Sequence, residues 1–335
     1  MEFEPRKYAE EQEKQMLSPY ATLVVNSKGR QREEEPCPIR TDFARDRDRI
    51  IHSSSFRRLK HKTQVFLAPL GDHYRTRLTH TLEVAQISRT LARALRLNED
   101  LTEAIAMGHD LGHTPFGHSG EKALSSVASF EFKHAAQSVR VIDRLEREGK
   151  GLNLTYEVRN GIATHSDGGA DAATLEGKIV EYSDKIAYIN HDIEDAIRAG
   201  ILGPDELPYD CLYILGRTKS ERITTLIESI IENSFGKNEI RMSNEVWKAH
   251  RSLRDFMFQS VYRNPLAKGE EGKAQELLVQ LYRHFEKHPN ELPPLYHTVM
   301  EQEGKERALC DYLAGMTDIY AISLYNDLFV PKMFR

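Results

Sequence analysis

The chain is poor in cysteine. Its three thiols, Cys37, Cys211 and Cys310, lie far apart and form no C-x-x-C pair. That excludes a disulfide framework and argues against a structural zinc knuckle. Long apolar runs are missing too: no stretch of about 18 apolar residues occurs, so no membrane span is expected. The opening MEFEPRKYAEEQEK has no apolar signal-peptide core. A cytoplasmic protein with reduced thiols is the simplest expectation. Positive charge is not in excess, with 46 Lys+Arg against 51 Asp+Glu and a net charge of -5. That speaks against a dedicated nucleic-acid coat. The common nucleotide cradles are absent as well. GHTPFGH (112–118) places His118 where a phosphate loop needs Lys-Ser/Thr, Gly177-Lys178 is followed by Ile179 with no Gly at 172, and no G-x-G-x-x-G follows a strand. Internal repeats and low-complexity tracts are not found. What is present is enough to build a core, with 40% hydrophobic and 29% charged residues over 335 positions. This length suits one large domain or two ordinary ones.

Strand signals are nearly absent, and the expected fold is all-α. Residues 1–39 mix the charge block Glu33-Glu34-Glu35 with Pro5, Pro19, Pro36 and Pro38. They read as an irregular N-terminal arm, suited to packing on another subunit, with a weak strand signal at 21–25. Helical spacing then predicts helices over 79–96, 99–111, 134–148, 156–165, 176–199, 217–235, 244–260, 272–287 and 304–328. Asn98 is the expected N-cap of the second of these. Gly112–Gly120 and SDGGAD (166–171) read as loops, and 200–215 and 264–272 carry linker composition. The organisation expected is an arm (1–39), a helical block bearing the chemistry (40–203) and a C-terminal helical subdomain (204–335). The aromatic groups Phe256, Phe258, Tyr262 and Tyr312, Tyr320, Tyr325, Phe329 read as core.

Chemistry gathers in the middle block. His80 lies on the apolar face of helix 79–96 with Val84, Ile87, Leu91 and Leu95. His109-Asp110 ends the next helix, and Asp184 sits between Ile179-Val180 and Ile186-Ala187. A lone histidine on an apolar face is most often a satisfied core residue. A buried carboxylate, however, needs a cation or a metal. Two imidazoles and two carboxylates on three helices offer mixed N/O donors for Mn, Fe, Co, Ni, Zn or Mg if they converge, which spacing alone leaves open.

The pattern His80, His109-Asp110, Asp184 resembles the H…HD…D signature of HD-domain metal-dependent phosphohydrolases. The segments FRRLKHKTQVF (56–66), TRLTHTLEVAQ (76–86), HDLGHTPFGHSGE (109–121), FKHAAQSVRVID (132–143) and EYSDKIAY (181–188) are similar, in order, to the deoxyguanosine triphosphate triphosphohydrolases. The resemblance covers roughly residues 40–195. It implies an HD-type helical bundle with one divalent metal per subunit bound by His80, His109, Asp110 and Asp184. It also implies that a metal-activated water attacks the α-phosphorus of a dNTP, releasing deoxynucleoside and intact triphosphate. His118 and Glu121 match positions tied to catalysis, with His118 the candidate acid for the leaving 5′ oxygen and Glu121 its orienting carboxylate. His113 in the same loop is a candidate phosphate contact. His134 matches a third active-site histidine, followed here by Ala135 where relatives often carry a polar or acidic residue.

Residues 40–62 hold eight Lys/Arg against three Asp, a local +5 suited to drawing in a triphosphate. Arg57, Arg58, Lys60 and Arg77 are the candidate phosphate contacts, Arg77 being placed one helical turn before His80. Asp184, Lys185, Tyr188 and Asp192 share a helix face. The resemblance assigns Lys185 to phosphate, Tyr188 to the sugar and Gln64 to the base and sugar, and Asp192 is a further substrate candidate. It further implies a homo-oligomer, while a dNTP as allosteric activator and single-stranded nucleic acid as an additional partner are left open. Two rival functions stand beside this one. The first is another HD phosphohydrolase, a nucleoside 5′-monophosphatase or cyclic-nucleotide phosphodiesterase. The second is a regulator that binds nucleotide or single-stranded nucleic acid without turnover.

Overall fold

The computed structural model describes residues 4–64, 75–166, 171–203, 205–262 and 270–332. Among these the fold is all-α, and the nearest approach to a strand is a pair of isolated bridges, Arg30 with Thr155 and Thr63 with Thr76. No described helix is long and apolar enough to cross a membrane. The helices are α1 Pro5–Met16, α2 Asp42–Ile51, α3 Ser54–Arg58, α4 Arg77–Leu95, α5 Glu99–Gly108, α6 Gly117–Val127, α7 His134–Arg140 and α8 Tyr156–Thr164. They continue as α9 Leu175–Arg198, α10 Tyr209–Leu215, α11 Lys219–Ser234, α12 Asn244–Ser260, α13 Glu271–Lys287, α14 Pro294–Glu303, α15 Lys305–Ala314 and α16 Asp318–Phe329.

The chain forms two compact units that interleave along the sequence. One comprises 1–52, 80–109 and 152–264; the other comprises 53–79, 110–151 and 265–335.

In the first unit α5 is the central helix. Asn98 caps it, accepting from Leu101 N at 3.1 Å, and α2, α8 and α9 pack around it. Leu101, Ala104 and Ile105 are fully buried there. The crossing with α8 is tight because Gly161 faces Ile105: a Cβ at 161 would lie 2.5 Å from the Ile105 side chain. The arm is not irregular throughout. Residues 5–16 form α1, and 24–26 a single 3₁₀ turn where a strand was expected. Three carboxylates pin it. Glu176 accepts from Thr22 N at 3.0 Å, Thr22 Oγ1 at 2.9 Å and Asn98 N at 3.1 Å. Glu157 accepts from Ser27 Oγ and Lys28 N, and Glu13 from Val24 N and Asn98 Nδ2. Extended backbone with its N–H groups turned toward side-chain acceptors has none left over for a sheet partner.

In the second unit α6, α13, α15 and α16 share a core of Leu124, Leu278, Leu281, Phe285, Leu309 and Leu313 with Phe116 and Phe132. Helices α2, α3 and α6 were not among the expected spans, α6 starting at Gly117 inside the expected 112–120 loop; the other boundaries fall close to the expected ones, with four further differences. The span 304–328 is two helices, because Thr317 caps a new start by accepting from Tyr320 N. The span 134–148 ends early, passing into a π turn at 141–145. Residues 209–215, inside the expected linker, are helical. Helix α14 was not foreseen. Parts of the loops expected at 166–171 and 264–272 lie outside the described residues.

The aromatic groups divide. On α12 the core stripe is Leu253, Met257 and, just past the helix end, Val261, one turn apart, which leaves Phe258 half exposed. Tyr320 and Phe329 are exposed too, while Tyr312 and Tyr325 pack against the second core.

His250 on α12 is buried and bonds the carbonyl of Lys185 on α9. Burial pulls its imidazolium down to about 4. A histidine held neutral by the fold, but free to protonate when unfolded, removes stability as pH falls through 6.5 toward 4. At about 1.4 kcal/mol per pH unit, the loss approaches roughly 3 kcal/mol. His250→Gln should remove that component. The check is urea unfolding of both proteins at pH 7 and pH 4.5, where the wild type should lose more stability than the variant.

Candidate functional site

The first unit carries an imidazole cluster. His80 on α4 and His109 just past α5 place their rings edge to face at 5.4 Å, and both are buried. Asp184 on α9 sets Oδ1 3.1 Å from His80 Nε2 and 4.0 Å from His109 Nε2. His109 Nδ1 lies 2.6 Å from the carbonyl of Ala106. A carbonyl can only accept, so Nδ1 carries the proton and a neutral ring presents its Nε2 lone pair toward Asp184. That is the tautomer a metal ligand needs. His165, missed in the sequence, is held the same way by the carbonyl of Ile162 at 2.8 Å and packs on His109.

His191 stacks edgewise on His80 at 5.0 Å and sits between Glu83 (2.8 Å) and Asp192 (3.2 Å). Burial opposes its charge, but the two carboxylates prevail and raise it to about 9. Asp192 also accepts from the hydroxyl of Tyr262 through Oδ2. Tyr262 was read as core; it is buried, but it ends in a polar contact with a candidate substrate residue. The sequence signal was the second His-Asp dipeptide, His191-Asp192. Lys185 Nζ rests on Glu181 at 2.9 Å, and Tyr188 follows on the same helix, half-buried.

His109 is the last residue of the 80–109 segment of the first unit, and Asp110 opens the 110–151 segment of the other. In the second unit Asp110 is buried against Arg77, Oδ2 to Nη1 at 2.9 Å, and its Oδ1 lies 3.2 Å from His113 Nε2. Arg77, expected to be open to phosphate, is thus engaged with a carboxylate and is only 2 % exposed. His113 stacks on His134 with centroids 3.9 Å apart and rings within 12° of parallel. Asp110, His113 and His134 offer ligand atoms within 4.8 Å of one another.

Glu121 on α6 is shared between two rings. Oε2 takes His118 Nδ1 at 3.0 Å and Oε1 takes His134 Nδ1 at 2.7 Å and His134 N at 3.0 Å. The carboxylate beside His134 therefore comes from Glu121, and Ala135 packs in the interior. Burial would raise Glu121, but the bonds from His118 and His134 hold it far below the usual carboxylate range. Burial lowers His134 while Glu121 raises it, with the net upward. Burial, with Arg77 and His134 near, keeps His113 neutral.

The loop into α6 bends sharply. Phe116 and Gly117 both have positive φ, 63° and 54°, and a Cβ at 117 would meet the Arg77 guanidinium at 2.8 Å. Gly117 lets Arg77 reach Asp110 beneath the loop.

The expected cationic run is largely consumed by local pairing. Arg40 pairs with Asp48, Arg45 and Arg49 with Glu34, and Arg47 with Asp100 and Glu103. Arg57 and Arg58 bond Ser54 and Ser55 one turn back. Gln64 is the last described residue before a gap, and its Oε1 is buried without a hydrogen-bond partner among the described residues.

An HD domain model matches residues 77–189 and a phosphohydrolase-associated domain model matches 240–327. A deoxyguanosinetriphosphate triphosphohydrolase-like protein from Caldanaerobacter subterraneus subsp. tengcongensis is 57% identical over 98% of this chain and 96% of its own length. The chain belongs to the deoxyguanosinetriphosphate triphosphohydrolase-like family of HD phosphohydrolases. Family members of the same description from Desulfatibacillum aliphaticivorans and Clostridium tetani are 49% and 48% identical, over 97% and 98% of this chain and 98% and 97% of their own. A crystal structure of a hypothetical protein from Aquifex aeolicus is similar in fold, with a TM-score of 0.51 and 20% identity over 86% of this chain and 68% of that one. HD domains bind divalent metal, and His80, His109 and Asp184 offer fitting donors.

The Arg77–Asp110 pair is buried on both sides. Arg77→Ala leaves Asp110 without its cation and should cost roughly 3–5 kcal/mol in the metal-free protein. Adding divalent metal should recover part of that loss if Asp110 is a ligand. Thermal denaturation with EDTA and with excess Mn²⁺ measures both.

Proposed function

We propose that the chain hydrolyses a dGTP-like deoxynucleoside triphosphate to deoxynucleoside and inorganic triphosphate. His80, His109, Asp110 and Asp184 are the residues that hold its divalent metal in this reading. The observation that carries it is the His118–Glu121 pair. The His118 side chain is 74% exposed yet fixed at Nδ1 by a carboxylate that is itself 15% exposed. A histidine so held is oriented at Nδ1 and turns Nε2 toward substrate. The names of the relatives support the substrate class.

A bound divalent ion supplies polarisation of a phosphoryl oxygen and acidification of water. The remaining work falls to side chains. Cleavage of the bond between the α-phosphorus and the sugar 5′ oxygen leaves an alkoxide that must be protonated. His118 Nε2 gives that proton while Glu121 stabilises the charged ring at Nδ1. Glu121 also orients His134, whose stacking on neutral His113 fixes both rings. Lys185 exchanges Glu181 for phosphate, and Tyr188 lies one turn beyond Asp184, where a ribose carried on that phosphate meets it. Asp192, with one oxygen on Tyr262 and the other facing His191, orders the buried end of this helix face.

The test is incubation of metal-loaded protein with each dNTP, followed by chromatography. Deoxynucleoside and triphosphate are expected; monophosphate or single phosphate as first product would sink the reading in favour of another phosphohydrolase. Asp184→Ala should abolish bound metal and turnover together. His118→Ala should retain metal and lose about 10²–10⁴ in kcat, the usual contribution of a placed proton donor.

A further inference from the structure

Two neighbouring residues outside the proposed chemistry, Lys62 and Thr63, meet the C-terminal helices, and Lys62 also meets the loop before α6. Lys62 is 2 % exposed, and its ammonium donates to the carbonyls of His113 and, at 3.0 Å, of Ala314 at the end of α15. Its own carbonyl accepts from Arg77 N at 3.0 Å. Thr63 donates through N at 2.9 Å and Oγ1 at 2.7 Å to one oxygen of Asp318. The other oxygen of Asp318 takes Phe116 N at 3.0 Å. Asp318, 3 % exposed, is thus engaged by three donors. Capping of α16 does not explain it, because Thr317 performs that task.

Phe116 is the residue whose left-handed backbone turns the loop into α6, two positions before His118. A phenylalanine adopts that conformation only when its surroundings hold it there. Its ring is fixed in the second core and its N–H by Asp318. Released from Asp318, residue 116 can relax to negative φ, and the first turn of α6, with His118 on it, changes its aim.

We propose that Asp318 is a positioning residue, clasping the His118 loop to α16 so that the C-terminal helices set the aim of the proton donor. The kinetic part rests on the triphosphohydrolase reading; the structural part does not. Asp318→Ala should leave bound metal unchanged and lower kcat for dNTP hydrolysis by roughly 10–100-fold, the scale of an ångström-level misplacement, with KM changing much less. In a His118→Ala background the same substitution should cost less than about twofold further, since two changes acting through one group are not additive. Asp318→Asn offers one acceptor oxygen where donors arrive on both sides, so its NH2 must face either Phe116 N or Thr63 N, and it should recover only part of the loss. Amide hydrogen exchange supplies a readout independent of turnover. Residues 113–120 should exchange at least ~10-fold faster in Asp318→Ala, with α4, α5 and α9 unchanged.

Unchanged exchange in the loop, or a full additional loss in the His118→Ala background, would each overturn the proposal. Wild-type protein that yields no triphosphate from any dNTP would overturn the functional reading instead, and the exchange result would still decide the clasp.

Discussion

A carboxylate taken out of water must be met by donors or by a cation, and much of this structure follows from that cost. Asp110 is met by Arg77, and the need for that guanidinium beneath the loop requires glycine at 117. Glu121 is met by two imidazoles, which fixes the rings of His118 and His134 in one step. Asp318 is met by Thr63 and by the one backbone N–H that a left-handed Phe116 turns toward it. Glu176, fully buried, is met by Thr22 and Asn98, and this holds the arm against the start of α9. Where the donors are backbone N–H groups, the carboxylate fixes the chain as well as a side chain.

The buried histidines show how one residue type is set to different states by what its nitrogens face. His109 and His165 face backbone carbonyls, which fix the Nδ1 proton and leave Nε2 for a neighbour. His191 faces a carboxylate on each nitrogen and stays charged. His250 and His113 are driven toward neutrality by burial. Within the first unit, His80 lies edge to face against both His109 and His191, so a ring held by a carbonyl and a ring held between two carboxylates flank one imidazole.

Local signals read well where the chain supplies its own punctuation. Asn98, Thr174 and Ser243 each cap a helix within a residue or two of its expected start, because capping is a contact over three residues. The HD signature was legible for the same reason: motif spacing is a property of the chain. Charge was misread because a count of cations does not say whom they meet. Arg45, Arg47 and Arg49 look available on α2, yet they answer Glu34, Asp100 and Glu103. Tyr262 looked like core because burial and a buried polar contact share one apolar pattern. Only α9, 70 positions earlier, shows that its hydroxyl has a partner.

By itself, then, the sequence determined the helical class, most helix starts and the family, all of which rest on periodicity, caps and ordered motifs. It could not determine that Glu121 serves two histidines, that Arg77 is engaged with Asp110, or that Asp318 reaches back 202 positions to Phe116. Those contacts join residues whose separation along the chain carries no information about their separation in space. They form only once apolar burial has packed the helices, and the unmatched charge left inside has had to find whatever donors the packing brought near.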